Sequence, residues 1–371
     1  MSADLARSVK ICLPGLGPAV TVLAPLVGPP DRNDLERPET STVEVFEALT
    51  QVLGGADHQL VPLRRLVQPG PYGFTKHRGV EMLDATTLED VAAALGQSES
   101  PLVHAIGWEA GVVAAALGSS DGDRTTVVLE PLGVPDSYEW TLADHAAALV
   151  VPSDAVCRDA LRHGVLRAAL SVIPLATPPC PVPVDQAVGT ADRPGALLAV
   201  VGDSVDYALL AGVEAILRAD DGAHVVFAGA ANRLVRGRKP ATIVRGWPAA
   251  VACRVHGASR VTWQLLDRVD AVLDAGGRSA APRAALATLA AGKALVAVAH
   301  RPAADLVDPG RSGLVLARMD PIQLAGRVGE LLSARHDLRL LGAAGRQRWG
   351  REHSPQVRAA RLAELYDRVR R

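Results

Sequence analysis

The chain has few aromatic side chains and few cysteines, and both shortages limit what it can be. Aromatic residues make up 3% of its 371 residues and hydrophobic residues 49%, so its cores must be built from alanine, valine and leucine. The four cysteines lack the C-x-x-C spacing of zinc and redox motifs, which favours reduced thiols in a cytoplasmic protein. They are Cys12, Cys157, Cys180 and Cys253.

Lysine is also scarce, with four residues against 35 arginines, and only two asparagines occur. This skew is typical of high-GC codon usage, and we expect a bacterial protein. The formal net charge is −1, with acidic and basic residues interspersed. A nucleic-acid-binding protein would need a clustered basic face, so no nucleic-acid partner is expected. The short basic run at 233–239 is interpreted as a solvated loop, with phosphate or an anionic surface as the alternative ligand.

Long apolar runs are missing as well. No uninterrupted apolar stretch of the length needed to span a bilayer occurs, so we expect at most peripheral membrane contact. Residues 11–27 are apolar and follow Arg7 and Lys10, as in a signal peptide. Pro14, Pro18 and Pro25 interrupt that run, so no signal peptide is expected.

Short apolar runs alternate with helical patterns along the whole chain, which predicts an α/β protein with parallel sheets covered by helices. Strands are predicted at 22–26, 59–62, 102–104, 126–129, 148–151, 170–173, 196–201, 224–228, 252–256, 271–274, 294–298 and 314–315. Helices are predicted at 43–53, 87–95, 109–116, 155–163, 207–219, 282–291, 322–333, 338–353 and 355–370.

A proline-rich stretch at 174–184 carries five prolines and predicts a semi-rigid connector between two domains. We expect a Rossmann-like domain over 1–176, a linker over 177–192 and a second Rossmann-like domain over 193–353. The helix over 354–371 is expected to pack back toward the first domain. In doubly wound sheets, ligands bind outside the carboxyl ends of the strands.

Several fragments, in the correct order, resemble the retaining glycosyltransferases of family 4. The stretch DAVLDAGGRSAAPRAALATLAAGKALVAVAH, at 270–300, resembles the strand, glycine-rich turn and helix of that family's sugar-nucleotide site. Ser153, in a segment similar to the family's "vivpSeav", is predicted to cap the following helix. Further similar fragments lie at 103–111, 170–174, 308–315, 320–325 and 341–346.

This resemblance implies the GT-B fold, in which two Rossmann-like doubly wound domains face a cleft and a helical tail follows. It implies a nucleotide-sugar donor as substrate in the second domain, and a small-molecule or glycan acceptor against the first. It also implies retaining chemistry without a metal ion or another cofactor. The sequence accordingly shows no metal-binding motif. Whether the chain forms homo- or hetero-oligomers stays open.

The donor-site motifs depart from the family pattern. The family carries G-R-x(4)-K-G after the first strand of the second domain, whereas no Arg or Lys occurs here from Pro194 to Leu217. Ser279 and Ala287 replace the two family glutamates. Donor contacts are nevertheless expected at Gly202, Asp203, Ser204, His256, Gly257, Arg278, Ser279, Pro282 and Arg283.

A helix terminus and two arginines are expected to supply the lost phosphate contacts. The helix after Ser279 begins near Pro282, and its free amides suit phosphate oxygens. Arg278 and Arg283 flank that terminus, and arginine favours bidentate phosphate contacts. The alternative is that both are surface arginines of an arginine-rich chain.

The catalytic candidates are His104 and Glu130, each at the end of a predicted strand in the first domain. The family places a histidine in "T-x-H" near Glu130, and this carboxylate is the nearest polar substitute. His104 is expected to face the cleft, with a structural role as the alternative. Tyr138 and Trp140 would form an apolar platform for a sugar.

The leading hypothesis is therefore a glycosyltransferase with an atypical donor site. Because several chemical positions are altered together, the alternative is a non-catalytic GT-B protein that serves as a binding or auxiliary subunit. A third possibility, a GT-B enzyme of other chemistry such as a sugar-nucleotide epimerase, has no motif in its favour.

Overall fold

In the computed structural model of the chain, the described residues form two compact units. The first unit contains the described residues from Val20 to Leu175, except Leu35, together with the helix that starts at Pro355. The second contains Leu35 and Ala176–Ser354. The structure describes residues 20–25, 35, 38–53, 59–63, 75–77, 80–82, 102–107, 110–111, 114, 126–131, 139–181, 195–202, 205–232, 244–276 and 282–370.

The first unit is built on a six-stranded parallel sheet. Its strands are β1 (Val20–Pro25), β2 (Gln59–Leu63), β5 (Leu102–Ile106), β6 (Thr126–Glu130), β7 (Ala148–Val151) and β8 (Leu170–Val172). Their order in the sheet is β2-β1-β5-β6-β7-β8. A separate antiparallel pair consists of β3 (Thr75–His77) and β4 (Val80–Met82).

The second unit also has a six-stranded parallel sheet. Its strands are β9 (Leu197–Val201), β10 (His224–Ala228), β11 (Val255–Ala258), β12 (Ala271–Asp274), β13 (Ala294–Val298) and β14 (Gly313–Leu316). Their order in the sheet is β11-β10-β9-β12-β13-β14.

Helices connect these strands and follow the second sheet. They are α1 (Pro38–Leu53), α2 (Asp154–Arg162), α3 (Tyr207–Ala219), α4 (Ala249–Ala252), α5 (Trp263–Arg268), α6 (Arg283–Ala290), α7 (Pro321–Gln323), α8 (Gly329–Ser333), α9 (Arg335–Glu352) and α10 (Pro355–Val369). Short 3-10 helices lie at Glu139–His145, Arg167–Ala169 and Pro302–Leu306, and a π-helix at Leu324–Val328 joins α7 to α8.

The second sheet is buried on both faces, which explains why its strands read as continuous apolar runs. Leu198 and Val200 of β9 belong to the cluster on one face, while Ala199 and Val201 belong to the cluster on the other. All four side chains are fully buried. Successive residues of the strand thus belong to two different hydrophobic cores, because their side chains point to opposite faces of the sheet.

The starts of two helices, α2 and α3, follow from side-chain capping. The Ser153 hydroxyl accepts a hydrogen bond from the Val156 amide at 3.4 Å, so the predicted cap of α2 is present. The Asp206 carboxylate accepts one from the Leu209 amide at 2.8 Å and starts α3. Both residues satisfy an amide that the helix itself leaves without a partner.

The predicted strand at 252–256 is wrong in its bounds. Residues from Ala249 to Ala252 form α4 after Pro248, and β11 begins only at Val255. The apolar run there reflects one turn of helix as well as the strand. The predicted helix at 87–95 and the linker residues 182–192 lie outside the described residues, as does most of the predicted helix at 109–116.

Candidate functional site

The chain reverses its winding direction at the centre of the second sheet. From β9 it runs outward through β10 to β11, then returns to β12 on the other side of β9 and runs outward to β14. The carboxyl ends of β9 and β12 therefore lie side by side at a topological switch point. Ligands of open parallel sheets bind in the crevice at this position.

Two glycines place bare backbone at this switch point. Gly202 follows β9 with φ +98° and Gly276 follows β12 with φ +74°, in the left-handed region that favours glycine. A Cβ atom on Gly202 would lie 2.6 Å from the Gly276 carbonyl oxygen and 3.1 Å from its amide nitrogen. The two turns thus meet through bare backbone, and only glycine at 202 permits it. Asp203 and Ser204 lie outside the described residues.

Asp274, the last residue of β12, fixes the turn that leads to Gly276. Its side chain is buried, and its Oδ1 accepts a hydrogen bond from the Gly276 amide at 2.6 Å. The sequence analysis counted Asp274 only as the last residue of an apolar strand and did not predict its role in the turn. A carboxylate at a strand end followed by glycine is nevertheless a signal for a turn that a side chain stabilises.

Arg301 reaches the same crevice from the turn after β13, and the sequence reading missed it. Its Cδ and Cγ atoms lie 3.0 and 3.1 Å from the position that a Cβ atom would occupy on Gly276. The preceding residue, His300, is exposed and has φ +63°. It is the one non-glycine residue with positive φ in the described part of the chain. This turn directs the Arg301 side chain over Gly276.

The start of α6 lies where the sequence predicted it, close to the same turn in the chain. Pro282 stands at the N-cap position without a side-chain cap, and its carbonyl accepts the first hydrogen bond of the helix, from the Leu286 amide at 3.0 Å. Arg283 is half-buried. Ala287, in place of a family glutamate, is fully buried in the core of the second unit. Arg278 and Ser279 lie outside the described residues, so the phosphate and sugar contacts expected of them stay predictions.

His256 points away from the crevice. It is the second residue of β11, and its ring stacks on the ring of His224, the first residue of β10, with centroids 5.3 Å apart. The His224 Nδ1 and His256 Nε2 atoms are 3.0 Å apart. The ring therefore lies near the amino end of β11, whereas the predicted strand at 252–256 placed His256 at a carboxyl end. The donor contacts of His256 and Gly257 stay predictions.

His104 and Glu130 lie close together in the first unit, but they are buried. The strand continues two residues beyond its predicted end, so His104 lies in the middle of β5, where it is 1% exposed. Its Nδ1 atom is 2.7 Å from the Tyr366 hydroxyl of α10, and its Nε2 atom is 3.5 Å from a Glu130 carboxylate oxygen. The expectation that His104 ends its strand is therefore wrong.

Arg358 of α10 completes this cluster. Its guanidinium donates to the Glu130 carboxylate at 2.5 Å and to the Ile173 carbonyl at 2.8 Å. Glu130 is 4% exposed and Arg358 is 5% exposed. Burial, with a smaller contribution from the Glu130 carboxylate, raises the pKa of Tyr366. The partners of both predicted catalytic residues thus come from α10 of the same unit.

These contacts hold both ring nitrogens of His104 inside the first unit. The Nδ1 atom faces the Tyr366 hydroxyl, which its raised pKa keeps protonated, and the buried Nε2 atom faces the Glu130 carboxylate. This arrangement gives His104 and Glu130 a structural role, and their catalytic role stays a prediction.

The expectation that Trp140 forms an aromatic platform for a sugar is wrong. Trp140 is 4% exposed and stacks on His163 with ring centroids 5.9 Å apart, so it offers no open face to a sugar. Tyr138 lies outside the described residues, as does the basic run at 233–239.

Two searches of the described part of the chain bear on metals and membranes. It contains no group of three or more His, Cys, Asp or Glu side chains placed to hold a metal ion. None of its helices combines the length and the apolar character needed to cross a bilayer.

Solved structures of glycosyltransferases are similar to this chain over nearly its full length. Sucrose-phosphate synthase from Thermosynechococcus elongatus has a TM-score of 0.72 at 15% identity, covering 95% of this chain and 99% of that one. Anabaena HepE in complex with UDP-glucose has a TM-score of 0.67 at 13% identity, covering 94% and 99%. The chain has the GT-B fold. No protein-family model and no curated protein sequence matches it.

The GT-B fold confirms the fold class that the sequence predicted. A glycosyltransferase from Rickettsia africae is similar to the same extent, with a TM-score of 0.66 at 13% identity, covering 95% of this chain and 98% of that one. Identities this low show a shared fold only, so the activity has to be inferred from the residues of the site. The relation to family 4 stays a prediction.

Proposed function

We propose that this GT-B chain is a glycosyltransferase, which transfers a sugar from a nucleotide-activated donor to a small-molecule or glycan acceptor. The observation that carries the proposal is the topological switch point between the ends of β9 and β12, where Gly202 and Gly276 meet through backbone. Ligands of parallel sheets bind at this place. The similar HepE structures contain UDP-glucose, or UDP and glucose.

The proposal includes retention of configuration and no resident metal ion. The bond between the sugar and the phosphate breaks, the sugar bonds to the acceptor oxygen, and the acceptor proton passes to the departing phosphate. Such a reaction requires the protein to position donor and acceptor and to stabilise the charge on the departing phosphate, and it needs no side-chain base. The burial of His104 and Glu130 against α10 is compatible with that demand.

A panel of UDP-, GDP- and ADP-linked sugars tests the proposal. A donor that binds only the folded protein should raise its melting temperature, because ligand at 100 times Kd adds about 2.7 kcal/mol to stability. With a suitable acceptor, the same donor should release nucleoside diphosphate. If no sugar nucleotide at millimolar concentration shifts melting, the proposal fails. Binding without transfer to any acceptor would favour the auxiliary-subunit alternative.

Gly202→Ala and Gly310→Ala make a matched pair for this experiment. Both glycines have positive φ, so alanine strains the backbone at either position. Only the Gly202 substitution also places a methyl group against Gly276, since no described atom lies within 4 Å of a Cβ on Gly310. We expect Gly202→Ala to abolish the donor-induced shift and Gly310→Ala to retain it. Equal shifts in both variants would exclude the crevice as the donor site.

A further inference from the structure

The turn after β9 has no positive charge to offer a phosphate group. No Arg or Lys occurs from Pro194 to Leu217. The start of α3 is already occupied, because the Asp206 carboxylate accepts a hydrogen bond from the Leu209 amide. A helix start capped by a carboxylate repels a further anion. Among the described residues, positive charge for a doubly charged ligand at this switch point is therefore available on the β12 and β13 side.

Arg301 is placed to supply that charge. Its stem packs on Gly276, and its Nε atom lies 3.4 Å from where a Cβ on that glycine would be. The backbone holds this position, because the Arg301 amide donates to the Val298 carbonyl at 3.2 Å and the Arg301 carbonyl accepts from the Ala304 amide at 2.9 Å. Among the described residues, no carboxylate lies within ion-pair distance of its guanidinium.

Strain in the preceding residue favours a functional origin for this placement. A histidine with φ +63° is less stable than a glycine in that conformation, yet His300 adopts it at the carboxyl edge of the sheet. Residues held in sparsely populated backbone regions cluster at ligand sites. The neighbouring basic side chain of the next turn, Arg318, differs, because it is largely exposed and pairs with Asp320 at 3.0 Å.

We propose that the Arg301 guanidinium binds the diphosphate of the nucleotide-linked donor. This inference rests on the proposed function and adds the residue that would recognise the phosphates. Guanidinium groups bind phosphate oxygens through paired N–H donors, which suits a side chain fixed at its stem and free at its tip. The positive charge would also stabilise the nucleoside diphosphate as it departs.

Calorimetric titration with nucleoside diphosphates and their nucleosides tests this role. UDP, GDP and ADP are each compared with uridine, guanosine and adenosine on the wild-type chain. For the diphosphate that binds, Arg301→Gln should weaken binding about 10- to 100-fold, the usual worth of a hydrogen bond to a charged group. Affinity for the matching nucleoside should not change. Arg301→Lys should recover part of the loss, because it keeps the charge and loses the paired donors.

Arg311→Gln is the matched control. Arg311 lies in the same β13–β14 connection, is largely exposed, and is 3.8 Å from Asp308 just before β14, at the opposite edge of the sheet. This variant should bind the diphosphate as the wild type does. A diphosphate that binds Arg301→Gln with unchanged affinity would overturn the role of Arg301 and leave the proposed function standing. If no nucleoside diphosphate binds the wild type, the proposed function itself fails.

Discussion

The two parallel sheets differ in what covers the carboxyl halves of their central strands. In the first unit, His104 and Glu130 are covered by Tyr366 and Arg358 of α10, and the carboxylate and guanidinium neutralise each other at 2.5 Å. In the second unit, Gly202 and Gly276 meet through backbone after β9 and β12, and the Arg301 side chain lies on Gly276. We call the first edge, which α10 covers, the closed edge, and the second, where the two glycines meet, the open edge.

The two edges also differ in the groups that bind their buried carboxylates. Each holds a buried carboxylate and an arginine. Glu130 is bound by Arg358, whereas Asp274 is bound by the Gly276 amide. The Asp274 contact belongs to a backbone turn, and under our proposal the Arg301 guanidinium binds the donor diphosphate. Polar residues at the strand ends would then stabilise the first unit and bind a ligand in the second.

Arg358→Ala should break the closed edge most severely. Removing the guanidinium leaves the Glu130 carboxylate buried without its main counter-charge, a change that costs about 3–5 kcal/mol. Chemical denaturation followed by circular dichroism measures the loss. Glu364→Ala, at an exposed position of the same helix, should change stability by no more than about 0.5 kcal/mol. Equal, small losses in both variants would show that α10 does not close this edge.

Tyr366→Phe should have a smaller effect, of about 1–2 kcal/mol, because it removes one buried hydrogen bond to His104. Tyr207→Phe, at a residue that is 61% exposed, serves as the control and should be neutral.

The same variant carries a pH signature. The folded-state pKa of Tyr366 is raised above that of the unfolded chain, so its contribution to stability is complete below pH about 10 and is lost as pH rises further. Tyr366→Phe should therefore lose less stability than the wild type between pH 9 and 11. Parallel pH profiles would contradict the buried position of this hydroxyl.

Most of the strands were predictable because a strand that is buried on both faces of its sheet consists of consecutive apolar residues. The strands at 148–151, 224–228, 271–274 and 294–298 have the predicted bounds. The pair β3 and β4 was missed because its strands are three residues long and mostly polar. The helix α5 was missed too, since Thr262 gives its only clear start signal, accepting a hydrogen bond from the Leu265 amide at 3.2 Å.

The site was less predictable, because it depends on contacts between distant segments. Gly202 was found from its place after a strand, which is a local signal. Arg301 reaches Gly276 only because β13 pairs with β12 and the chain turns at His300. The burial of Glu130 depends on Arg358, 228 residues away, and that of His104 on Tyr366, 262 residues away. No local pattern near His104 or Glu130 indicates α10.

Hydrogen exchange with and without a bound sugar nucleotide tests most directly whether the open edge of the second sheet binds the donor. We expect slower exchange in the turns after β9, β12 and β13, including Gly202, Gly276 and Arg301. We expect no change at 102–107 and 126–131. Protection confined to 102–107 and 126–131, with no change in the three turns, would contradict it.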